Sequence, residues 1–417
     1  MTQQTQTKQL PKGWKEENLG SDNFKILGSG IKKFSGEKDY LSTESIKETN
    51  IEKIESKITY QKRPSRANMQ PIINSVWFAK MKDTLKVYCF DELNKTEINK
   101  YILSTGFAGI NSSVCEAKFI KYFFLSPNFN SQKDKFAIGT TQVAINNEGI
   151  KKITIAYPES KEEQSLIVSA IETHFSRLDN AIKNLKSVKE KIQLYRKAVL
   201  KKAFEKKEGW EEKRIKEVFI INPKKEEIKD LSDDLKVSFV PMKFVSEYSK
   251  KIVNNEIKKL SEVRKGYTYF KDEDVILAKI TPCFENGKMA IAKDLTNGIG
   301  FGSTEFHIFR NKGDLIANYL FYFFQQDKFR SEAKRNMTGT AGQLRVPVRF
   351  IENYLINYPP SLQEQSRIVQ EIESKFSVID KVEEAVENSL KKAEMLKKAI
   401  LKAAFEGRLV KEEGENE

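Results

Sequence analysis

Apolar positions along the chain follow two patterns, and each pattern occurs twice. In the first, apolar side chains recur at Ile171, Phe175, Leu178, Ile182, Leu185, Ile192, Tyr195 and Val199, and again at Ile372, Phe376, Ile379, Val386, Ala393, Leu396 and Ile400. Spacings of mostly three and four residues, flanked by Lys and Glu, predict long amphipathic helices with an apolar seam. At about 1.5 Å per residue, roughly 45 helical residues reach about 65 Å. So long a charged helix is poorly stable alone and needs a partner for its seam.

The boundaries of these two stretches repeat as well. Tyr157-Pro158-Glu159-Ser160 leads into Glu163-Gln164-Ser165-Leu166-Ile167-Val168, and the stretch closes at Lys197-Ala198-Val199-Leu200 through Phe204-Glu205. Tyr358-Pro359-Pro360-Ser361 leads likewise into Glu364-Gln365-Ser366-Arg367-Ile368-Val369 and closes at Lys398-Ala399-Ile400-Leu401 through Phe405-Glu406, with no gap needed between the copies. Ser160 and Ser361 are placed to cap the helix starts.

The second pattern is short apolar runs. Val76-Trp77-Phe78-Ala79-Lys80-Met81 and Val275-Ile276-Leu277-Ala278-Lys279-Ile280 predict buried strands. Ser104-Thr105-Gly106-Phe107 answers to Ser303-Thr304-Glu305-Phe306. The aromatic stretches 119–129 and 319–329 each predict one short helix with a buried face. Gly139-Thr140-Thr141-Gln142 answers to the Gly-rich stretch from Thr338 to Gln343, and a Gly-Trp lead-in precedes each half at Trp14 and Trp210. A long repeat of this kind decides the architecture. The expected fold is α/β (α+β): two repeated globular domains at 1–156 and 207–357. They alternate with a long helix at 157–206 and a second with an acidic tail at 358–417. An antiparallel coiled coil with pseudo-twofold symmetry is the natural partnering. Its seam is carried by Ile171, Phe175, Leu178, Leu185, Ile372, Phe376, Ile379 and Val386.

Composition narrows the class without changing this picture. With 39% hydrophobic and 31% charged residues the chain reads as a soluble globular protein, and no apolar run approaches the roughly 18 residues of a bilayer span. The polar start, residues 1–9, carries no apolar signal core. Three scattered cysteines suggest neither a disulfide framework nor a zinc site, and a reducing, cytoplasmic setting is expected. The net charge of +14 sits mainly on 1–156 and 207–357, which points the globular segments toward a polyanion, most simply nucleic acid.

Catalytic signatures are lacking. The two histidines, His174 beside a helical seam and His307 within a strand-like run, read as packing or surface residues. Gly287-Lys288 lacks the preceding glycine of a phosphate loop, and Asn222-Pro223-Lys224 does not continue as an amino-methyltransferase motif. The chain is expected to have no catalytic residue, no metal and no cofactor of its own.

Base edges and phosphates are met by Arg, Lys, Asn, Gln and Ser/Thr held on rigid elements. In the first half the residues of that kind are Arg63, Arg66 and Asn68, Lys80 at the strand end and Gln142 in the Gly-Thr loop. In the second they are Lys279, Thr281, Asn286 and Lys288 beyond the matching strand, with Arg335, Gln343 and Arg345; Arg264 and Lys265 add charge. For any one of these, a solvated surface side chain is the plainer reading; as clusters they describe DNA-facing surfaces.

Taken together, the Gly-Trp lead-ins, the Tyr-Pro…Glu-Gln…Ile-Val openings and the Lys-Ala-(Ile/Val)-Leu-Lys…Ala-Phe-Glu endings resemble the specificity (S) subunits of type I restriction–modification systems. The stretches 278–288, 299–306 and 337–343 are similar to target-recognition sequence in that family, while the first half departs further from it. The resemblance covers Leu10 to Leu409. It implies a subunit that reads a bipartite double-stranded DNA target, one half per domain, with the helices as ruler and docking surface. The partners implied are two methyltransferase (M) subunits and restriction (R) subunits; those partners, not this chain, would use S-adenosylmethionine, ATP and Mg. The other reading is a coiled-coil scaffold whose domains bind protein.

Overall fold

The computed structural model describes residues 10–247, 250–340 and 342–410. The acidic tail from 411 onward and the polar start, 1–9, lie outside the described residues. The chain forms two compact units, one from Met1–Leu185 with Asn388–Glu417, the other from Lys186–Glu387. Each unit therefore holds one globular segment, the start of one long helix and the end of the other.

In the first unit, Phe24–Leu27, Phe107–Ser112, Ser75–Ala79 and Val87–Phe90 form an antiparallel sheet in that order. Ser56–Ile58, Lys38–Leu41, Tyr101–Ser104 and Ala67–Met69 form a second, in which the middle pair is parallel. In the second unit the corresponding sheets are Phe219–Ile221, Phe306–Asn311, Val275–Ala278, Met289–Ile291 and Glu256–Lys259, Lys236–Val240, Ile299–Gly302, Thr268–Lys271, the latter again parallel in the middle. Strand order and direction match throughout. Ser75–Ala79 and Val275–Ala278 are buried at every residue, as continuous apolar runs in a central strand require.

Each aromatic stretch forms two helices instead of the single one the spacing predicts. Ala117–Leu125 ends at Ser126, whose hydroxyl accepts from Phe129 N at 3.2 Å and caps Pro127–Lys135, with Pro127 in the first turn. Ala317–Phe324 and Asp327–Arg335 repeat the break. The break turns Phe124 and Phe129, or Phe324 and Phe329, face to face at 4.4 and 4.5 Å between centroids, which a continuous helix would keep apart.

Tyr157-Pro158 and Tyr358 of the repeat belong to strands, not to the helices. Trp14–Asn18 pairs antiparallel with Thr154–Pro158, and Glu211–Arg214 with Leu355–Tyr358. The Gly-Trp and Tyr-Pro landmarks are thus strand partners, and the helices begin just beyond, at Lys161–Ala203 and Leu362–Ala404, 43 residues each. Ser160 and Ser361 hydroxyls accept from Glu163 N at 3.2 Å and Glu364 N at 3.3 Å.

Within each unit the two helix segments run antiparallel. In the second, Lys189 pairs with Glu387, Gln193 with Glu383 and Arg196 with Asp380, each step up one helix matched by an equal step down the other. In the first, Ile171 joins the core with Ile400, Leu401, Ala404 and Phe405, Phe175 and Leu178 pack at its edge, and Lys397 reaches Asp179 at 2.6 Å. Ile372 sits in the second unit's core, with Phe376 against it; Ile379 and Val386 are buried, and Leu185 is half-buried. Tyr195 and Leu396, expected on the seam, turn outward at 52% and 49% exposure. The inward places go to their neighbours, Arg196 over the Phe376 ring at 5.1 Å and Lys397 over Phe175 at 5.5 Å. No helix among the described residues is long and apolar enough to cross a membrane.

Candidate nucleic-acid interface

In the second unit the site grows from the end of the central strand. Past Ala278 the backbone of Lys279 donates to Glu305 O at 2.9 Å and accepts from Val346 N at 2.9 Å. Those two bonds dock the 303–305 turn on one side and the hairpin Thr338–Thr340/Gln343–Arg345 on the other. Thr281 ties the hairpin further: its N–H donates to Leu344 O at 2.9 Å, and its hydroxyl donates to Gly342 O and accepts from Leu344 N. Gln343 and Thr304 stay exposed beside the half-buried Lys279, and the exposed Arg335 ends the helix leading into the hairpin.

The first unit repeats the arrangement. Lys80 N donates to Gly106 O at 2.9 Å, Lys80 O accepts from Ile145 N at 3.0 Å, and Ile138 pairs with Ala144 around an exposed Gln142. Arg66 O accepts from Thr105 N at 2.8 Å, so Arg66, the 104–106 turn, Lys80 and the Gly-Thr-Gln loop form one hydrogen-bonded row. The Arg66 side chain is exposed; burial lowers the pKa of Lys80. The glycines of the two loops are required by space as well as by backbone angle. Gly139 and Gly339 have φ of +119° and +129°, and a Cβ would stand 2.5 and 2.7 Å from the carbonyl oxygens of Gln142 and Gln343.

Other residues selected from the sequence hold internal partners. Arg63 lies over the Tyr60 ring at 4.1 Å and donates to Tyr60 O; Asn68 is half-buried, its carbonyl accepting from Gly30 N. Lys288 donates to Met242 O at 3.2 Å, and Asn286 donates to Glu247 at 3.3 Å. Arg345 chelates Glu305, which holds that carboxyl below its ordinary pKa range. Arg264 donates to the carbonyls of Ile228, Lys229 and Leu231. Arg63, Lys288, Arg345, Asn286 and Arg264 are thus tied by their side chains to neighbours in their own unit, and Asn68 by its backbone. The structure brings together Arg66, Lys80 and Gln142 in one unit, and Lys279, Thr281, Gln343 and Arg345 in the other.

Two features escaped residue-by-residue selection. Thr304 is exposed in the turn beside Lys279, and the repeated Ser-Thr dipeptide was its only sequence signal. His307, beneath that turn, is buried; its Nε2 lies 2.8 Å from Val346 O, which can only accept, so Nε2 carries the hydrogen and Nδ1 accepts from Asn222 Nδ2 at 3.5 Å. Burial holds its pKa down to about 4. Among the described residues no group of His, Cys, Asp and Glu is arranged to hold a metal, and the three cysteines are free.

The chain matches the family model of the type I restriction modification DNA specificity domain twice, over residues 12–191 and 207–392. It is 42% identical over 217 residues to the type I restriction enzyme EcoAI specificity subunit of Escherichia coli, covering 52% of this chain and 36% of that protein. It is 39% identical over 230 residues to the EcoEI specificity subunit of Escherichia coli, covering 55% of this chain and 38% of that protein. The matched region thus spans little more than a third of either relative. A chain solved in a study of complex assembly and conformational transition of the type I R-M system aligns over 96% of this chain and 99% of its own, with a TM-score of 0.77 at 20% identity. The HsdS subunit of Thermoanaerobacter tengcongensis aligns over 96% and 98% with a TM-score of 0.59 at 21% identity. At such identities these two likenesses concern the fold.

Proposed function

Because the chain belongs to the type I restriction modification DNA specificity family, we propose that it is the address-reading subunit of a type I restriction–modification complex. Each unit reads one half of a split double-stranded DNA target. One observation carries this reading: in both units a lysine at the end of the central strand is docked between a Ser-Thr turn, half-buried at Thr105 and exposed at Thr304, and an exposed Gly-Thr-Gln loop. The side chains presented there can meet base edges, and the basic surroundings can meet phosphates. Family membership weighs against a scaffold whose domains bind only protein.

The long helices set the length of the unread spacer and dock two M subunits, with R subunits joining the assembly in the cytoplasm. Methyl transfer and cleavage belong to those partners, together with S-adenosylmethionine, ATP and Mg; this chain supplies recognition and no chemical step. Affinity for random duplex should fall steeply with salt, since phosphate contacts release counterions.

The test is methylome sequencing of cells carrying the chain with its M subunit. A bipartite methylated motif with a fixed unread gap is expected. A continuous motif, or methylation that does not depend on this chain, would overturn the assignment.

A further inference from the structure

In each unit the loop leaving the central strand is gripped by the second short helix, and the grip includes a cation, buried in the first unit and half-buried in the second. In the first unit Lys133, 1% exposed, donates to Met81 O at 3.2 Å and to Thr84 O at 2.5 Å. The next residue, Asp134, accepts from Asp83 N at 3.2 Å. In the second unit the Arg330 guanidinium lies 4.2 Å over the Phe284 ring and donates to Phe284 O, while Lys334 pairs with Glu285 at 2.6 Å.

Burying a cation chiefly against backbone carbonyls is unfavourable unless the geometry it enforces is needed. The chain does so fully at Lys133 and in part at Arg330, which is half-buried on one carbonyl and one ring. Pro127–Lys135 and Asp327–Arg335 have equal length, yet the place of Lys133 holds Ala333 in the second unit, and the place of Arg330 holds Asn130 in the first. A contact merely inherited with the repeat would keep its position. Here the position and residue type of the cation changed, and so did the loop, while the grip of this helix on the loop after the central strand remained.

Each of these helices also runs at its C-terminal end into the Gly-Thr-Gln hairpin. One helix therefore holds both the hairpin and the loop that directly follows the reading lysine, Lys80 or Lys279. Their mutual spacing is fixed only as well as the loop is gripped.

We infer that Lys133 and Arg330 are positioning residues for base discrimination, acting through the loops they hold and touching no nucleic acid themselves. The inference rests on the DNA-reading assignment above. Removing either cation should blur the half-site read by its own unit and leave phosphate affinity alone.

The experiment uses the full chain purified with its M subunit, a randomised duplex pool sequenced after binding, and a salt titration on random duplex. Arg330→Ala should lower the match-to-mismatch enrichment at one half-site about tenfold, with the other half-site and the salt slope unchanged. Lys133→Met should do the same at the other half-site. Arg330→Lys should restore most of the loss, and Lys334→Ala, which removes only a surface pair, should give a smaller loss at the Arg330 half-site. Unchanged enrichment in Arg330→Ala, or equal losses at both half-sites with a changed salt slope, overturns the inference. If Arg330→Ala does not assemble, Lys334→Ala decides, and an intact half-site there overturns it. A wild-type assembly that enriches no bipartite motif overturns the DNA-reading assignment itself, so the two failures are distinguishable.

Discussion

Arg345 holds Glu305 through both carboxylate oxygens, with Nε at 3.2 and 3.0 Å and Nη2 at 2.9 Å from Oε1. The pair joins the hairpin to the 303–305 turn across the Lys279 backbone, so it braces the surface on which reading is proposed to occur. The arginine raises its own pKa by this bond and lowers that of Glu305.

Arg345→Ala should therefore loosen the hairpin more than it weakens binding to random duplex. Amide exchange in 338–345 should accelerate while the central strand Val275–Ala278 keeps its protection. The carboxylate's lowered pKa makes its contribution full above the ordinary Glu range and lost as pH falls through the depressed value. Protection factors of the wild-type hairpin, taken against the intrinsic exchange rate at each pH, should fall on acidification, and in Glu305→Gln that acid dependence should flatten.

His307 adds a second acid sensitivity with its own window. Its folded pKa of about 4 lies below the ordinary value of 6.5, so the unfolded chain takes up the proton first as pH falls. Stability is unaffected above the ordinary value and declines between the two, by up to about 1.4 kcal/mol per pH unit. His307→Gln should flatten that decline in a denaturation series for the second unit. An unchanged slope would mean that other groups set it.

Gly339→Ala should act on the hairpin alone. The new methyl group would meet Gln343 O at 2.7 Å in a backbone conformation with φ of +129°. A local cost of about 1–3 kcal/mol is expected. Because Thr338–Thr340 is exposed at every residue, the melting of the unit core should hardly move while hairpin exchange becomes fast.

Gln365 should be among the costliest polar residues to remove. Fully buried, it accepts from Ile316 N at 3.0 Å and donates to Asp314 O and Pro359 O, each at 2.9 Å. Gln164 makes the same three bonds in the first unit, to Glu116 N, Val114 O and Pro158 O. Gln365→Leu leaves the buried Pro359 carbonyl without this partner, at about 1–3 kcal/mol, and strips the part-buried Ile316 N and Asp314 O of theirs. Chemical denaturation should show the loss, with exchange first rising near Ile316 and the helix start.

These bonds also show why the sequence was so readable here. The Glu-Gln at the head of each long stretch stood out as a repeat, and the repeat exists because one amide fastens helix, strand and globular segment together. Trp14 likewise donates from Nε1 to Glu163 at 2.8 Å, so its lead-in motif and the helix-opening motif form one contact. Motifs far apart in the chain were legible because they are complementary parts of one joint.

The sequence by itself determined the duplicated architecture, the two buried central strands, the long helices and the family resemblance. Periodicity, capping and repetition are local properties, written wherever they act. Only the tertiary structure decided which basic residues face outward. Arg63, Lys288, Arg345 and Arg264 look as available in the sequence as Arg66 and Lys279, yet their bonds go to carbonyls and carboxylates brought close by the fold. It also decided that Tyr195 yields its inward place to Arg196, and that Lys133 and Arg330 grip equivalent loops from unequal positions. A side chain's availability depends on what lies across from it, and in a strand-rich unit that neighbour is remote in sequence.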